Sequence, residues 1–199
     1  MKVIGITGPS GSGKSTLSDA FRQLGLCVFD ADEIYHSLLV PPSDCLSEIA
    51  EYFGAEVFDN DGTLLRSKLA AVVFGDKAKL EHLNCITHKY VIEKMQLLID
   101  ERKSRGDKAV AIDVPLLFES NANGLCKTDV NIAVIADISN RLARIVKRDK
   151  ISEQEAMKRI LAQKDDEFYT SRADKVFYNN ADESEAFAFA TEFLNKILN

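Results

Sequence analysis

A glycine-rich turn set between a short apolar run and a helical pattern constrains this chain more than any other stretch. Gly8-Pro9-Ser10-Gly11-Ser12-Gly13-Lys14-Ser15-Thr16 directly follows Val3-Ile4-Gly5-Ile6, and it meets G-x-x-x-x-G-K-[ST] at Gly8, Gly13, Lys14 and Ser15. Val3 to Thr7 reads as a short buried strand, and Ser15 to Leu24 as a helix with Leu17 and Phe21 at i, i+4. Glycines carry no Cβ, so the chain between them can curl with φ > 0 and turn consecutive N–H groups into one concavity. The helix start adds its positive dipole end and its unpaired N–H groups. Such a cradle is built for the phosphates of a nucleoside triphosphate. Lys14 would lie along the β- and γ-phosphates, and the Ser15 hydroxyl would hold Mg²⁺. A plain Gly/Ser turn is the alternative, but it rarely comes with both flanking elements in place.

The remaining pattern alternates strands with helices. Leu26 to Phe29 is a second strand, ending Asp30-Ala31-Asp32, and a helix follows over Glu33 to Leu39. Ligands of open α/β sheets bind beyond the carboxyl ends of the strands, so this acid pair falls on the phosphate-loop side. One of Asp30 and Asp32 suits the helix cap and the other suits catalysis. Pro41-Pro42-Ser43 breaks the helix, and Asp44 to Phe53 forms the next. Arg66 to Phe74 and Lys77 to Lys103 form a long helical tract with Leu80, Leu83, Ile86 and Thr87 on one stripe. That tract is too long for a simple crossover and reads as a helical substrate-binding insertion over about 33–104.

Lys108 to Val114 is a third strand, and Asp113 near its end has the placing of an acid that holds Mg²⁺. Asp129 to Ala136 is a fourth. Asp137 or Ser139 caps a helix bearing Arg141, Arg144 and Arg148 on one face. Ser152-Glu153-Gln154-Glu155 is a capping box that opens another basic helix. The pair reads as a helical lid over about 141–164. Lys175 to Tyr178 is a fifth strand, and Asp182 to Leu198 a closing helix whose Phe189, Phe193 and Ile197 face the core. The expectation is a single α/β domain over 1–199, a three-layer fold with a five-stranded parallel sheet flanked by helices.

Charge narrows the function. The chain is −6 overall, which speaks against general nucleic-acid binding. Residues 141–164 carry eight basic against three acidic residues, a local +5 that leaves −11 for the rest. Positive charge is gathered where an anion would sit. No apolar run reaches the roughly 18 residues that span a bilayer, and no N-terminal stretch resembles a signal peptide. Cys27, Cys45, Cys85 and Cys126 form no C-x-x-C pair, so incidental thiols of a cytoplasmic protein are expected. Asp59-Asn60-Asp61-Gly62 starts like a calcium loop but lacks the later ligands, and it is a turn. It also fits D-x-x-G, but no Asn-Lys-x-Asp motif accompanies it. His36, His82 and His88 share no metal-ligand spacing.

Several motifs in fixed order carry a likeness. Thr7-Gly8 with Gly13-Lys14-Ser15, Phe29-Asp30-Ala31-Asp32, Phe53-Gly54-Ala55, Asp61-Gly62-Thr63-Leu64, Leu83-Asn84 and His88 come first. Pro115-Leu116-Leu117-Phe118-Glu119, Arg144 with Arg148-Asp149, Ile160 with Gln163, and Ala173-Asp174 with Asn179 follow. Together they resemble the dephospho-CoA kinase family, from the first strand to Asn179. The resemblance implies ATP-dependent phosphorylation of the ribose 3′-hydroxyl of dephospho-CoA, with Mg²⁺, by a monomer or small homo-oligomer that engages neither nucleic acid nor membrane. It implies Asp32 as catalytic base, Arg144 and Arg148 on the phosphates, Asn179 beside the adenine, and Thr7, His88 and Leu116 at the acceptor. Two positions depart from the family's habit: Lys89 stands where proline is usual, and Lys150 where glycine is common. A nucleoside or nucleoside monophosphate kinase shares the phosphate loop and the arginine lid, and a nucleotide-binding regulator without acceptor chemistry is a third reading.

Overall fold

The computed structural model describes residues 1–120 and 127–198. Two compact units divide the chain: Met1–Asp30 with Glu101–Asn199, and Ala31–Asp100.

The first unit is built on five parallel strands, β1 (Lys2–Thr7), β2 (Cys27–Asp30), β3 (Ala109–Asp113), β4 (Val130–Ile135) and β5 (Lys175–Tyr178), in the order β2-β3-β1-β4-β5. The central strands read as near-continuous apolar runs because helices cover both faces. Alternation within β4 separates those faces. Ile132 and Val134 join Leu17, Ala20 and Phe21 of α1 (Lys14–Gln23) and Ala186, Ala190, Phe193 and Leu194 of α10 (Glu183–Leu198). Ala133 and Ile135 pack with Tyr169 of α9 (Asp166–Thr170) and with Phe118 of the short α6 (Leu117–Ser120). The result is three layers. α7 (Ile138–Asp149) and α8 (Glu153–Leu161) form a hairpin with a small core of its own, Ile145, Ala156 and Ile160. β1 lies between β3 and β4, so the chain leaves it toward both edges of the sheet, and its carboxyl end is the switch point where such folds bind ligands.

The second unit packs α2 (Ala31–Leu38), α3 (Asp44–Phe53), α4 (Arg66–Val73) and most of α5 (Lys77–Ser104) around Leu46, Ile49, Phe53, Val57, Leu69 and Ile86. Asp59 closes the turn after a 3₁₀ segment, its Oδ1 accepting the N–H groups of Asp61 (3.0 Å) and Thr63 (2.8 Å). The α5 stripe is shorter than expected. Ile86 and Thr87 are buried and Leu83 is partly so, but Leu80 is exposed. It lies one turn before the first α5 side chain that reaches this core.

Strand and helix boundaries depart from expectation mainly near the acids. α2 begins at Ala31, not Glu33, so Asp32 sits in the first helical turn and Asp30 closes β2. There the negative charge of Asp32 suits the helix dipole. The helices α6 and α9 and the 3₁₀ segment were not foreseen. Cys27, Cys45 and Cys85 are free thiols, and Cys126 lies outside the described residues.

Candidate nucleotide site

The phosphate loop is held from outside by its own unit. Gly8, Gly11 and Gly13 have φ of +148°, +78° and +87°. A Cβ at Gly13 would stand 2.0 Å from the Asn179 Nδ2, and one at Gly8 would stand 2.2 Å from the Val134 carbonyl oxygen. Neither position admits another residue, on space or on φ. Within the loop, the Ser12 N–H donates to the Pro9 carbonyl (3.2 Å) and the Thr16 N–H to that of Gly13 (3.1 Å). Ser10 N–H donates to Gln163 Oε1 at 3.0 Å. Among the described residues, the N–H groups of Gly11, Gly13 and Ser15 have no acceptor, which leaves them for an anion. The buried Ser12 Oγ likewise has no partner among the described residues. Lys14 Nζ donates to the Gly8 carbonyl at 3.0 Å, so its ammonium is held against the loop.

Arginines from α7 reach the same loop. Arg144 Nη1 donates to the carbonyls of Gly11 (3.2 Å) and Ser12 (3.1 Å), and its Nη2 to that of Asn179 (3.0 Å). Asn179, only 2% exposed, donates from Nδ2 to Ser12 (2.9 Å) and Gly13 (3.4 Å) carbonyls. Asn179 therefore braces the loop backbone through its side chain. Arg141 is buried, whereas Arg148 is exposed, with Nη2 3.4 Å from Ser10 Oγ and Nε donating to Asp149 at 2.7 Å.

The carboxyl edge of the sheet supplies acids. Asp30 pairs in register with Asp113, and Asp113 with Ile6, so two aspartates stand side by side on β2 and β3 next to the strand that enters the loop. Asp113 is 4% exposed, and its Oδ2 accepts the Ser18 hydroxyl at 2.9 Å. Ser18 lies one turn beyond Ser15 on α1. A serine hydroxyl and an aspartate are hard oxygen donors, the ligand chemistry that suits Mg²⁺. The fully buried Thr7 donates its hydroxyl to the Pro115 carbonyl at 3.1 Å, and Leu116 beside it is about half exposed.

Asp32 and His88, both exposed, belong to the second unit. Beside His88, Lys89 Nζ donates to Glu48 Oε2 at 2.7 Å, and the Tyr90 hydroxyl to the same oxygen at 2.8 Å. Those hydrogen bonds hold the Glu48 carboxyl below its ordinary range and the Lys89 ammonium above its own. An ion pair thus ties Lys89, in the middle of α5, to Glu48. Sequence reasoning missed the Arg66 Nη2 contact to His36 Nδ1 (3.2 Å) and the Ser18–Asp113 bond. The second had a signal, since Ser18 lies at i+3 from Ser15.

The chain is similar to known proteins over nearly its whole length. The dephospho-CoA kinase family model matches residues 2–185. A dephospho-CoA kinase of Listeria innocua is 36% identical over 201 residues, covering 98% of this chain and 98% of that protein. One from Fusobacterium nucleatum is 38% identical over 195 residues, with 98% of each chain covered. The crystal structure of a Thermus thermophilus protein superposes with a TM-score of 0.80 at 29% identity, covering 100% of this chain and 98% of that one.

Proposed function

We propose, on the ground that this chain belongs to the dephospho-CoA kinase family, that it transfers the γ-phosphoryl group of ATP to the ribose 3′-hydroxyl of dephospho-CoA. The products are coenzyme A and ADP, in the last step of coenzyme A synthesis. The observation that carries this reading is the single hydrogen-bonded assembly of phosphate loop, Lys14, Arg144 and Asn179.

Phosphoryl transfer passes through a loose transition state, so positioning and charge neutralisation outweigh covalent help. The free N–H groups of the loop and the Lys14 ammonium bind the β- and γ-phosphates. Arg144 and Arg148 oppose the charge that spreads over the transferring group, and cations in such places are worth roughly 10³ to 10⁵ in rate. Ser15 and Asp113 would hold Mg²⁺, which when bound neutralises phosphate charge. A carboxylate is a weak base toward a sugar alcohol. Asp32 therefore orients the hydroxyl and receives its proton late. His88, Thr7 and Leu116 serve the acceptor, and the α7–α8 hairpin acts as the lid that excludes water. The same reading places the enzyme in the cytoplasm, as a monomer or small homo-oligomer.

The test is ADP release from ATP with dephospho-CoA, uridine or a nucleoside monophosphate as acceptor. Turnover confined to dephospho-CoA is expected. Turnover on a nucleoside or its monophosphate instead replaces this assignment, and nucleotide binding without turnover on any acceptor makes the chain a regulator. Asp32→Asn should lower kcat at least about 100-fold while the KM for dephospho-CoA stays within about 2-fold, the scale of a lost general base. An unchanged kcat removes Asp32 from this role.

A further inference from the structure

Arg141 stands on the same face of α7 as Arg144 and Arg148, yet its side chain is 4% exposed. Its Nε–H donates to the Ser10 carbonyl at 3.0 Å, and its Nη2–H to Gln163 Oε1 at 3.1 Å. That same Gln163 oxygen accepts the Ser10 N–H at 3.0 Å. Ser10 is therefore gripped at both ends of its backbone by two side chains that are bonded to each other. Asp166, 3.7 Å from Nη1, supplies the countercharge. Burial pulls the Arg141 pKa down, and the nearby Asp166 and Tyr169 act the other way.

Fold stability alone does not call for this arrangement. A buried cation is costly to desolvate, and an apolar side chain of similar volume commonly serves as well or better. What an apolar side chain could not do is hold the Ser10 peptide. Ser10 precedes Gly11, whose φ of +78° turns the loop and whose own N–H has no acceptor among the described residues. A loop fixed before its ligand arrives loses less conformational freedom on binding.

We propose that Arg141 and Gln163 are positioning residues for ATP, forming a clamp on Ser10 that preorganises the outer limb of the phosphate loop. The inference rests on the reading of the loop as the ATP site. Arginine's planar fork spans two acceptors, which lysine's single ammonium cannot reproduce.

Arg141→Lys and Gln163→Leu, made singly and together, test it against ATP at saturating acceptor. Each single change should raise the KM for ATP about 10-fold, with kcat and the KM for the acceptor within about 2-fold, and the Kd for ATP by equilibrium titration should rise in step. The double variant should be no worse than about 10-fold, because the clamp acts as one unit. A double variant near 100-fold, the product of two independent effects, overturns the proposal. So does an unmoved KM and Kd with a lowered melting temperature, which marks a strut, or a lowered kcat at constant KM, which marks direct contact with the transferring phosphate. If dephospho-CoA proves not to be the acceptor, the ATP titration still reads the clamp, so the two failures are told apart.

Discussion

The root and the tip of α7 carry the same side chain and different physics. Arg141 and Arg148 lie seven residues apart, about 10 Å along the helix. At the root, Arg141 is 3% exposed and committed to the Ser10 carbonyl and Gln163. At the tip, the Arg148 side chain is 62% exposed and donates to its neighbour Asp149, which also accepts Arg159 Nη1 at 2.7 Å. Arg144 lies between them in depth and spends its fork on three carbonyls. A root knitted to the loop can position it but has little freedom to move. A tip held by surface ion pairs, each worth at most about 1 kcal/mol, can be redirected to a phosphate at small cost. Burial, not residue type, divides the labour.

The largest effect should come from the middle arginine, where both roles meet. On the proposed mechanism Arg144→Ala removes a cation from the transferring group, and in the structure it leaves the Gly11 and Asn179 carbonyls short of a donor. We expect kcat/KM to fall about 10³-fold and stability to fall by about 1–3 kcal/mol, read by steady-state kinetics and urea melts. A stability loss with kcat/KM within about 3-fold would place Arg144 wholly on the root side and break the graded picture.

Next in size is the tip. Arg148→Ala should lower kcat about 100-fold, less than the loss of a full arginine finger. Its melting temperature should stay within about 2 °C, since exposed ion pairs contribute little. An effect confined to the KM for ATP would make Arg148 a simple binding residue.

The contrast along α7 also marks where sequence reading stops. Helical spacing placed the three arginines on one face, and that much is local geometry. Depth was not legible: Arg141 is buried and bonded to Ser10, 131 positions earlier. Asn179 is the same case, reaching Ser12 across 167 positions. Local signals fared better. The capping box of Ser152 and Glu155 forms in full, and β5 runs from Lys175 to Tyr178 as its apolar pattern implied. The glycines of the phosphate loop were legible because positive φ is a property of single residues. Leu80 shows the opposite limit: a stripe drawn by period alone does not know where the opposing core ends. The early start of α2 has a related cause. A strand and a helix can share the short run Asp30-Ala31-Asp32, and tertiary pairing of Asp30 with Asp113 decides the boundary.

The smallest prediction concerns the turn at the tip. Lys150 caps α7 at φ 54°, ψ 39°, the one non-glycine with positive φ among the described residues. A left-handed conformation costs a side-chain-bearing residue about 1 kcal/mol or more, and glycine escapes most of it. Against that, glycine adds freedom to the unfolded chain, which takes back part of the gain. Lys150→Gly should therefore stabilise the protein by about 0.5 kcal/mol, measured as a shift in the urea midpoint at constant m. The Lys150 N–H already donates to the Val146 carbonyl at 3.0 Å, and that bond survives the change. If the tip is only loosely tied to the loop, kcat and the KM for ATP stay within about 2-fold, the noise expected for an independent site. A clear kinetic change would mean that this turn sets where Arg148 points, and the tip would then be as constrained as the root.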